Sequence, residues 1–596
     1  MQAHKSELRD GMMVDWDVPI EMDDGAVVRA DVFRPIGGQS HPAILSYGLY
    51  AKWLHYGDGS PFQWKRMSED HPDTVAGSTN LYQSWEVVDP EKWVPDGYVC
   101  VRVDSRGAGR SPGYLEPQSP REIRDLYECV EWVAAQDWCD GKVGINGISY
   151  YAMNQWRVAS LQPPHLAAIC VWEGAADLYR EKAYHGGILC TFSDIWYRGR
   201  VIPKQHGLGR RGYRGRATGD WVSGPDTLTD EELEANRSDY GSDLLDHPLI
   251  DDYWRAREPD FSKIDVPLLS SGNWGGAGLH LRGNIEGFVR AATDQKWLEI
   301  HGLEHWTHFY TDYGVNLQKR FFGYVLKGED TGWQNQPRVL LQVRHPGEHF
   351  EERHEDEWPL ERTKWTKFFL DPADMSLNPS PPIDEGRVTY EALGDGVTFL
   401  TPPLTAVTEI TGPLATRVYI SSETEDADIF IVVRVFRPDL SEVTFQGANE
   451  PHTPIAHGWL RASHRKLDPE LSLPYRPYHV HDEVEPLVPG DVYELDVEIW
   501  PTSIVVPKGY RLGLSVRGKD YIYPGSDPAP IPVPGPGATA AVRFTGVGPF
   551  RHNSASDRPP SVFAGQVTIH ASPHQQSHIL LPVIPTRADS DQSSLG

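Results

Sequence analysis

GKVGINGISYYAMNQW, residues 141–156, reads as a strand, a sharp turn and the start of a helix, with Ser149 at the turn. A nucleophile elbow needs a strand to deliver the serine, small neighbours so the turn can close, and a helix behind it. Here VGIN supplies the strand, Gly147-Ile148 the approach, and YYAMNQWRVASL the helix. The glycine usual two residues after the serine is absent: Tyr151 stands there and Ala152 follows. On this partial match alone, a turn serine and a nucleophile both stay open.

The surrounding chain alternates strand and helix. AVVRADVFRP (26–35), PAILSYG (42–48), GYVCVRVDSRG (97–107) and KVGINGIS (142–149) read as strands, as do LAAICVWEG (166–174), VPLLSSGNW (266–274) and KWLEIHGLEH (296–305). Nearly apolar runs suit central strands covered on both faces. SPREIRDLYECVEWVAAQ (119–136) predicts a helix with Ser119 as N-cap, Pro120 at N1 and Glu122 completing a capping box. The alternation predicts a parallel α/β sheet.

The rhythm breaks twice. Residues 156–264 are assigned to a helical cap inserted between a first core part, 1–155, and a second, 265–345. Within the cap, RGRVIPKQHGLGRRGYRGR (198–216) is basic in an acidic chain. A solvated loop or subunit contact is its plainer reading, and attraction of an anionic substrate group the sharper one. From 346 to 585, strand-like segments such as TKWTKFFL, ADIFIVVRVF and YRLGLSVRG, set between Pro/Gly/Asp turns, predict an all-β jelly-roll sandwich. YPGSDPAPIPVPGPGA (523–538) is too proline-rich for a central strand, and 586–596 reads as a disordered tail.

The net charge of −28 disfavours nucleic acid and anionic membranes as partners. No apolar run is long enough to span a bilayer, and MQAHKSELRDGMMVDWDV lacks the apolar stretch of a secretory signal. Five irregularly spaced cysteines fit buried thiols in a reducing cytoplasm better than disulfides or a zinc site. HGLEH (301–305) follows a strand rather than lying on a metal-binding helix, and GAGRSPG lacks a phosphate-loop lysine, so neither metal nor cofactor is expected.

The elbow G-I-S-Y-Y-A with Gln155-Trp156, together with GLYAKW (48–53), AADLYRE (175–181), HGLEHW (301–306) and ITGPLATRVYISSETEDADIF (410–430), resembles the cocaine esterase-like and X-Pro dipeptidyl-peptidase (S15-type) hydrolases. The likeness spans nearly the whole chain. It implies an α/β-hydrolase core, an inserted helical cap and a C-terminal jelly roll. It also implies Ser149 as nucleophile, His305 as base, and an oxyanion hole from the Tyr50 hydroxyl and the Tyr150 N–H. His305 follows a late strand, where this fold puts its base; His301 and His308 are its rivals.

The acid departs from the pattern. The family's aspartate, two residues after a Trp, falls on Gly276. Glu173, ending strand LAAICVW, is the first substitute, then Glu304 beside His305, then Asp177; a Ser–His dyad is the remaining choice. The expectation is a serine esterase or amidase working through an acyl-enzyme on a small substrate. An X-Pro dipeptidyl-peptidase is the second reading. A non-hydrolytic binding or lyase-like protein on a hydrolase fold, prompted by Gly276, is the third. The oligomeric state is left open, a homo-oligomer included.

Overall fold

The computed structural model describes residues 5–524, 531–532, 541–542 and 546–585. The proline-rich run 523–538 falls largely outside these residues, and the tail 586–596 wholly outside them.

Eleven strands form one sheet: β1 (Lys5–Arg9), β2 (Met12–Glu21), β3 (Val27–Arg34), β4 (His41–Gly48), β5 (Val99–Asp104), β6 (Cys139–Ile148), β7 (Leu166–Trp172), β8 (Leu268–Asn273), β9 (Lys296–His301), β10 (Val339–His345) and β11 (His349–Glu355). Their order is β1-β2-β3-β5-β4-β6-β7-β8-β9-β10-β11. From β5 to β10 every pairing is parallel. Of the antiparallel edge strands, β3 was read from the sequence as a strand, whereas β1, β2 and β11 were not.

The parallel strands are buried on both faces because helices cover them. α1 (Pro120–Ala134) turns Ile123, Leu126, Val130 and Val133 onto Val99, Val101, Val143 and Ile145. At roughly 1.5–3 kcal/mol for each fully buried aliphatic side chain, this face alone holds the helix in place. Its N-terminus differs from expectation in one bond. The Ser119 hydroxyl accepts from the Glu122 N–H, but the Glu122 carboxylate turns to the Gln118 N–H and the Tyr150 hydroxyl, so the capping box is half made. The tyrosine that follows the elbow serine competes for that carboxylate.

Between β7 and β8 the chain leaves the sheet for short helices, a two-stranded hairpin and long turns, including a fully capped helix at Asp230–Ala235. The span 156–264 assigned to the cap thus takes in β7, which pairs with β6 and β8 inside the main sheet. Periodicity marks β7 as a strand but not which side of a domain boundary it falls on. In the same way β11 joins the core sheet although it lies beyond residue 346.

The second unit is all-β. Thr408–Ser422, Tyr493–Val506, Ala456–Arg461, Asp428–Phe436, Arg511–Arg517, Val397–Leu400, Ser376–Asn378, Lys364–Asp371 and His578–Ile584 pair in that order, and the last pairs back onto the first. Closure leaves no bare edge in this circuit. Its interior is packed with Ile410, Leu414, Val418, Ile431, Val433, Leu495, Val497 and Leu514. Arg282 links the pieces: its guanidinium donates to Glu181 from the cap (2.9 Å) and to Glu498 from the all-β unit (2.8 Å). No helix among the described residues is long and apolar enough to cross a membrane.

Candidate active site

β6 delivers Ser149 into a turn that ordinary residues avoid. Its φ of 57° and ψ of −111° lie outside the usual wells, so the surroundings must hold it there. They do so through both backbone groups. The Ser149 N–H donates to the carbonyls at the end of β7, Trp172 and Glu173 (3.1 Å each), and its carbonyl accepts from Ala152 and Met153. The helix Tyr150–Ala159, α2, starts at the next residue.

Tyr151 replaces the usual small residue because glycines elsewhere make room for it. A Cβ on Gly147 would lie 2.5 Å from the Tyr151 Cβ, and one on Gly48 would lie 2.7 Å from its ring. Gly147 also has φ of 152°, a conformation that favours glycine. Ala152 takes the close contact with the β7 end: a Cβ on Gly174 would meet its methyl at 2.9 Å.

Ser149 opens into a cavity of about 130 Å³, whose walls include Tyr50, Trp85, Glu86, Trp196, Gly276 and His305. The loop after β9 brings in His305. Asn273, ending β8, holds that loop by donating to the carbonyls of Leu303 (2.7 Å) and Gly302 (3.3 Å). The His305 N–H donates to the Ala448 carbonyl of the all-β unit (3.2 Å).

His305 Nδ1 lies 2.7 Å from Glu173 Oε2. Glu173 is fully buried, has φ of 49°, and carries His301 Nε2 3.5 Å from its other oxygen. Burial alone would raise the Glu173 pKa, but the His305 charge, the neighbouring His301 imidazole and the His305 hydrogen bond outweigh it and hold it near 2. On His305, burial pushes the imidazole down, while the charge and bond of Glu173 and then those of Glu86 lift it to about 10. His280 stacks on the His305 ring at 5.2 Å, and its own Nδ1 accepts from the Ala175 N–H.

The other acid candidates are engaged elsewhere. Glu304 pairs with Arg66 (2.5 Å) and accepts from Thr307, and Asp177 pairs with Arg180 (2.5 Å). Gly276 lines the cavity, but a Cβ there would sit 3.0 Å from the Asn273 carbonyl. Of the rival histidines, His301 stands behind Glu173 with Nδ1 on Glu299 (2.9 Å), and His308 packs edge-on against His301.

The Tyr50 hydroxyl accepts from Trp196 Nε1 (2.8 Å), which leaves its own proton to donate. Tyr150 is the first residue of α2, so its N–H has no intrahelical acceptor. Its hydroxyl donates to Glu122 (2.6 Å), so the side chain supports the helix and only the backbone is left for chemistry.

Sequence reasoning missed Glu86, whose Oε1 lies 3.0 Å from His305 Nε2. It sits in the irregular loop before β5, where no motif or period marks it. The basic segment 198–216 divides. Arg200 lines the cavity and donates to Ser60, while Arg211 and Arg216 pair with Asp230 and Asp58 at the surface. Among the described residues one group, His185, Cys190 and His552, could hold a metal, its ligand atoms lying within 4.8 Å of one another. None of the three lines the cavity, and the two imidazoles already hydrogen-bond each other at 2.9 Å.

Residues 24–310 match the family described as X-Pro dipeptidyl-peptidase (S15 family), and 331–580 match its C-terminal non-catalytic domain. The chain is similar to a CocE/NonD family hydrolase from Staphylococcus aureus, at 30% identity and a TM-score of 0.81 over 96% of this chain and 94% of that one. It is 23% identical to cocaine esterase from Rhodococcus sp., across 95% of this chain and 98% of that protein. An aminopeptidase from a marine sediment archaeon shares the fold, with a TM-score of 0.64 at 16% identity over 98% and 96% of the two chains.

Proposed function

The chain belongs to the S15-type α/β-hydrolase family of cocaine esterase and the X-Pro dipeptidyl-peptidases, and from that premise we propose how its pocket works. It is a serine hydrolase of carboxylic ester or amide bonds. Ser149 is the nucleophile, His305 the base and Glu173 the acid. The observation that carries this reading is the 2.7 Å contact between His305 Nδ1 and Glu173, with Ser149 and His305 lining the same cavity.

Ser149 Oγ adds to the substrate carbonyl carbon as its proton passes to His305 Nε2. The imidazolium returns that proton to the departing alcohol or amine as the carbonyl–heteroatom bond breaks. Water then attacks the acyl-enzyme by the same route and releases the acid. The Tyr50 hydroxyl and the Tyr150 N–H meet the oxyanion. Tyr50→Phe keeps the ring and removes one donor, so kcat for hydrolysis of short p-nitrophenyl esters should fall about 10²–10³-fold with KM nearly unchanged.

A carboxylate on the end of β7 stands in for the one absent at position 276, which removes the motive for a non-hydrolytic reading. Esters suit this pocket better than X-Pro peptides, because Glu86 is the one carboxylate among the described residues that line it, and His305 engages it. Buried, unpaired thiols at all five cysteines support a cytoplasmic setting. The test is a fluorophosphonate probe followed by peptide mass spectrometry. One adduct per chain, on Ser149, is the expected result; no adduct, or one on another residue, overturns the assignment.

A further inference from the structure

The base in this pocket is occupied. In a serine triad the nitrogen that faces the cavity should accept the nucleophile's hydroxyl. Here Glu86 Oε1 lies 3.0 Å from His305 Nε2, while Glu173 holds Nδ1. Glu86 is 2% exposed, and its other oxygen, Oε2, is buried without a hydrogen-bond partner. The backbone beneath it is pinned: its carbonyl accepts from the N–H of Ile148, the residue before the nucleophile, at 3.0 Å, and its φ is 64°. The elbow is therefore tied to the Glu86 backbone and not to its carboxylate.

We propose that Glu86 is a cap on the catalytic base: in the resting enzyme its carboxylate, not the Ser149 hydroxyl, holds His305 Nε2. This rests on the assignment of Ser149 and His305 above. Uncapping is a proton transfer followed by a rotation. The Nε2 proton passes to Glu86, giving a neutral imidazole and a neutral carboxylic acid. The acid turns away, and Nε2 becomes free to accept from Ser149. Charge is conserved, and two buried charges are removed.

The groups facing the pair fit this exchange. From the cap, Arg200 favours the charged carboxylate, Lys204 is pushed well down by burial, and Lys182, brought down to about 7 by burial, is about half charged at neutral pH. From the loop after β4 and from α2 come Tyr50 and Tyr151, and from the short helix Thr307–Tyr310 comes Tyr310, all held neutral by burial. Behind the ring stand Glu173 and the neutral His280. Burial raises the Glu86 pKa despite its bond to His305, so the neutral acid is within reach. Glu86 is thus a positioning residue that sets the pH at which the base comes free.

The sign follows. Transfer within the pair leaves its proton count unchanged and so does not depend on pH; labelling and turnover rise further where the pair loses that proton to solvent, as pH passes the raised His305 value. Removing the Glu86 charge lowers the pKa and moves the rising limb to lower pH. The experiment measures the fluorophosphonate labelling rate of Ser149 and kcat/KM for p-nitrophenyl acetate, from about pH 6 to about pH 10, for the wild type, Glu86→Gln and Glu86→Ala. Both variants should gain about tenfold or more at neutral pH, with the limb displaced by about one unit or more. Glu86→Gln preserves shape, so a loss confined to Glu86→Ala reports packing and leaves the test to the glutamine variant. An unchanged limb in Glu86→Gln, or lower neutral-pH activity, overturns the cap. Absence of any Ser149 adduct in all three proteins overturns the nucleophile itself, and the cap with it.

Discussion

Ser149→Ala should lower kcat on short p-nitrophenyl esters by on the order of 10⁵–10⁶-fold, leaving a purified, folded protein. Among the described residues that line the cavity, Ser149 carries the one aliphatic hydroxyl, and alanine offers no substitute for it. The fold should tolerate the change. Ser149 contributes to the turn through its backbone, whose N–H and carbonyl bonds alanine retains, and no side-chain cap bond is lost. Circular dichroism and thermal melting should match the wild type within about 1 kcal/mol, the range expected away from cavities and broken networks. Turnover within tenfold of the wild type would show that another group attacks the carbonyl.

Glu173→Gln should cost about 10⁴-fold in kcat. The carboxylate accepts from His305 Nδ1 and so keeps the proton on that nitrogen, which leaves Nε2 to receive one from serine. An amide that presents its N–H₂ to Nδ1 reverses the tautomer. It also removes the negative charge that stabilises the imidazolium as it forms. Substrate affinity should change little, because Glu173 lies behind the ring and does not line the cavity. A KM effect without a kcat effect would assign Glu173 a purely structural part, and a residual rate near the wild type would point to a dyad. Stability should fall as well, since His301 loses a charged neighbour in a dry site.

The parts of this site that depend on local sequence could be read from it. Ser149 is announced by a strand, a tight turn and a helix within sixteen residues, and His305 by its place after a late strand. Glu173 could be ranked first among the acids because it ends the strand one before that of the missing aspartate, within reach of the histidine. Its pairing with His305 across 132 residues could not be read, since nothing local encodes it. Glu86 left no trace: an irregular loop carries no period, and a lone carboxylate there is usually solvated. The strand-rich region after residue 346 was legible from alternation and turns, but β11 joins the other sheet, because alternation does not name a strand's partner. Tyr151 looked like a defect in the elbow; its tolerance depends on Gly48, about a hundred residues away in the chain.

The backbone bond between His305 and Ala448 makes the two units interdependent. A second bond, from the Ala448 N–H to the Gly275 carbonyl, fastens the neighbouring loop of the core to the same spot. The all-β unit holds no reacting atom, yet it serves as the jig in which the imidazole is set. A truncated core could retain Ser149, His305 and Glu173 and still present them out of alignment.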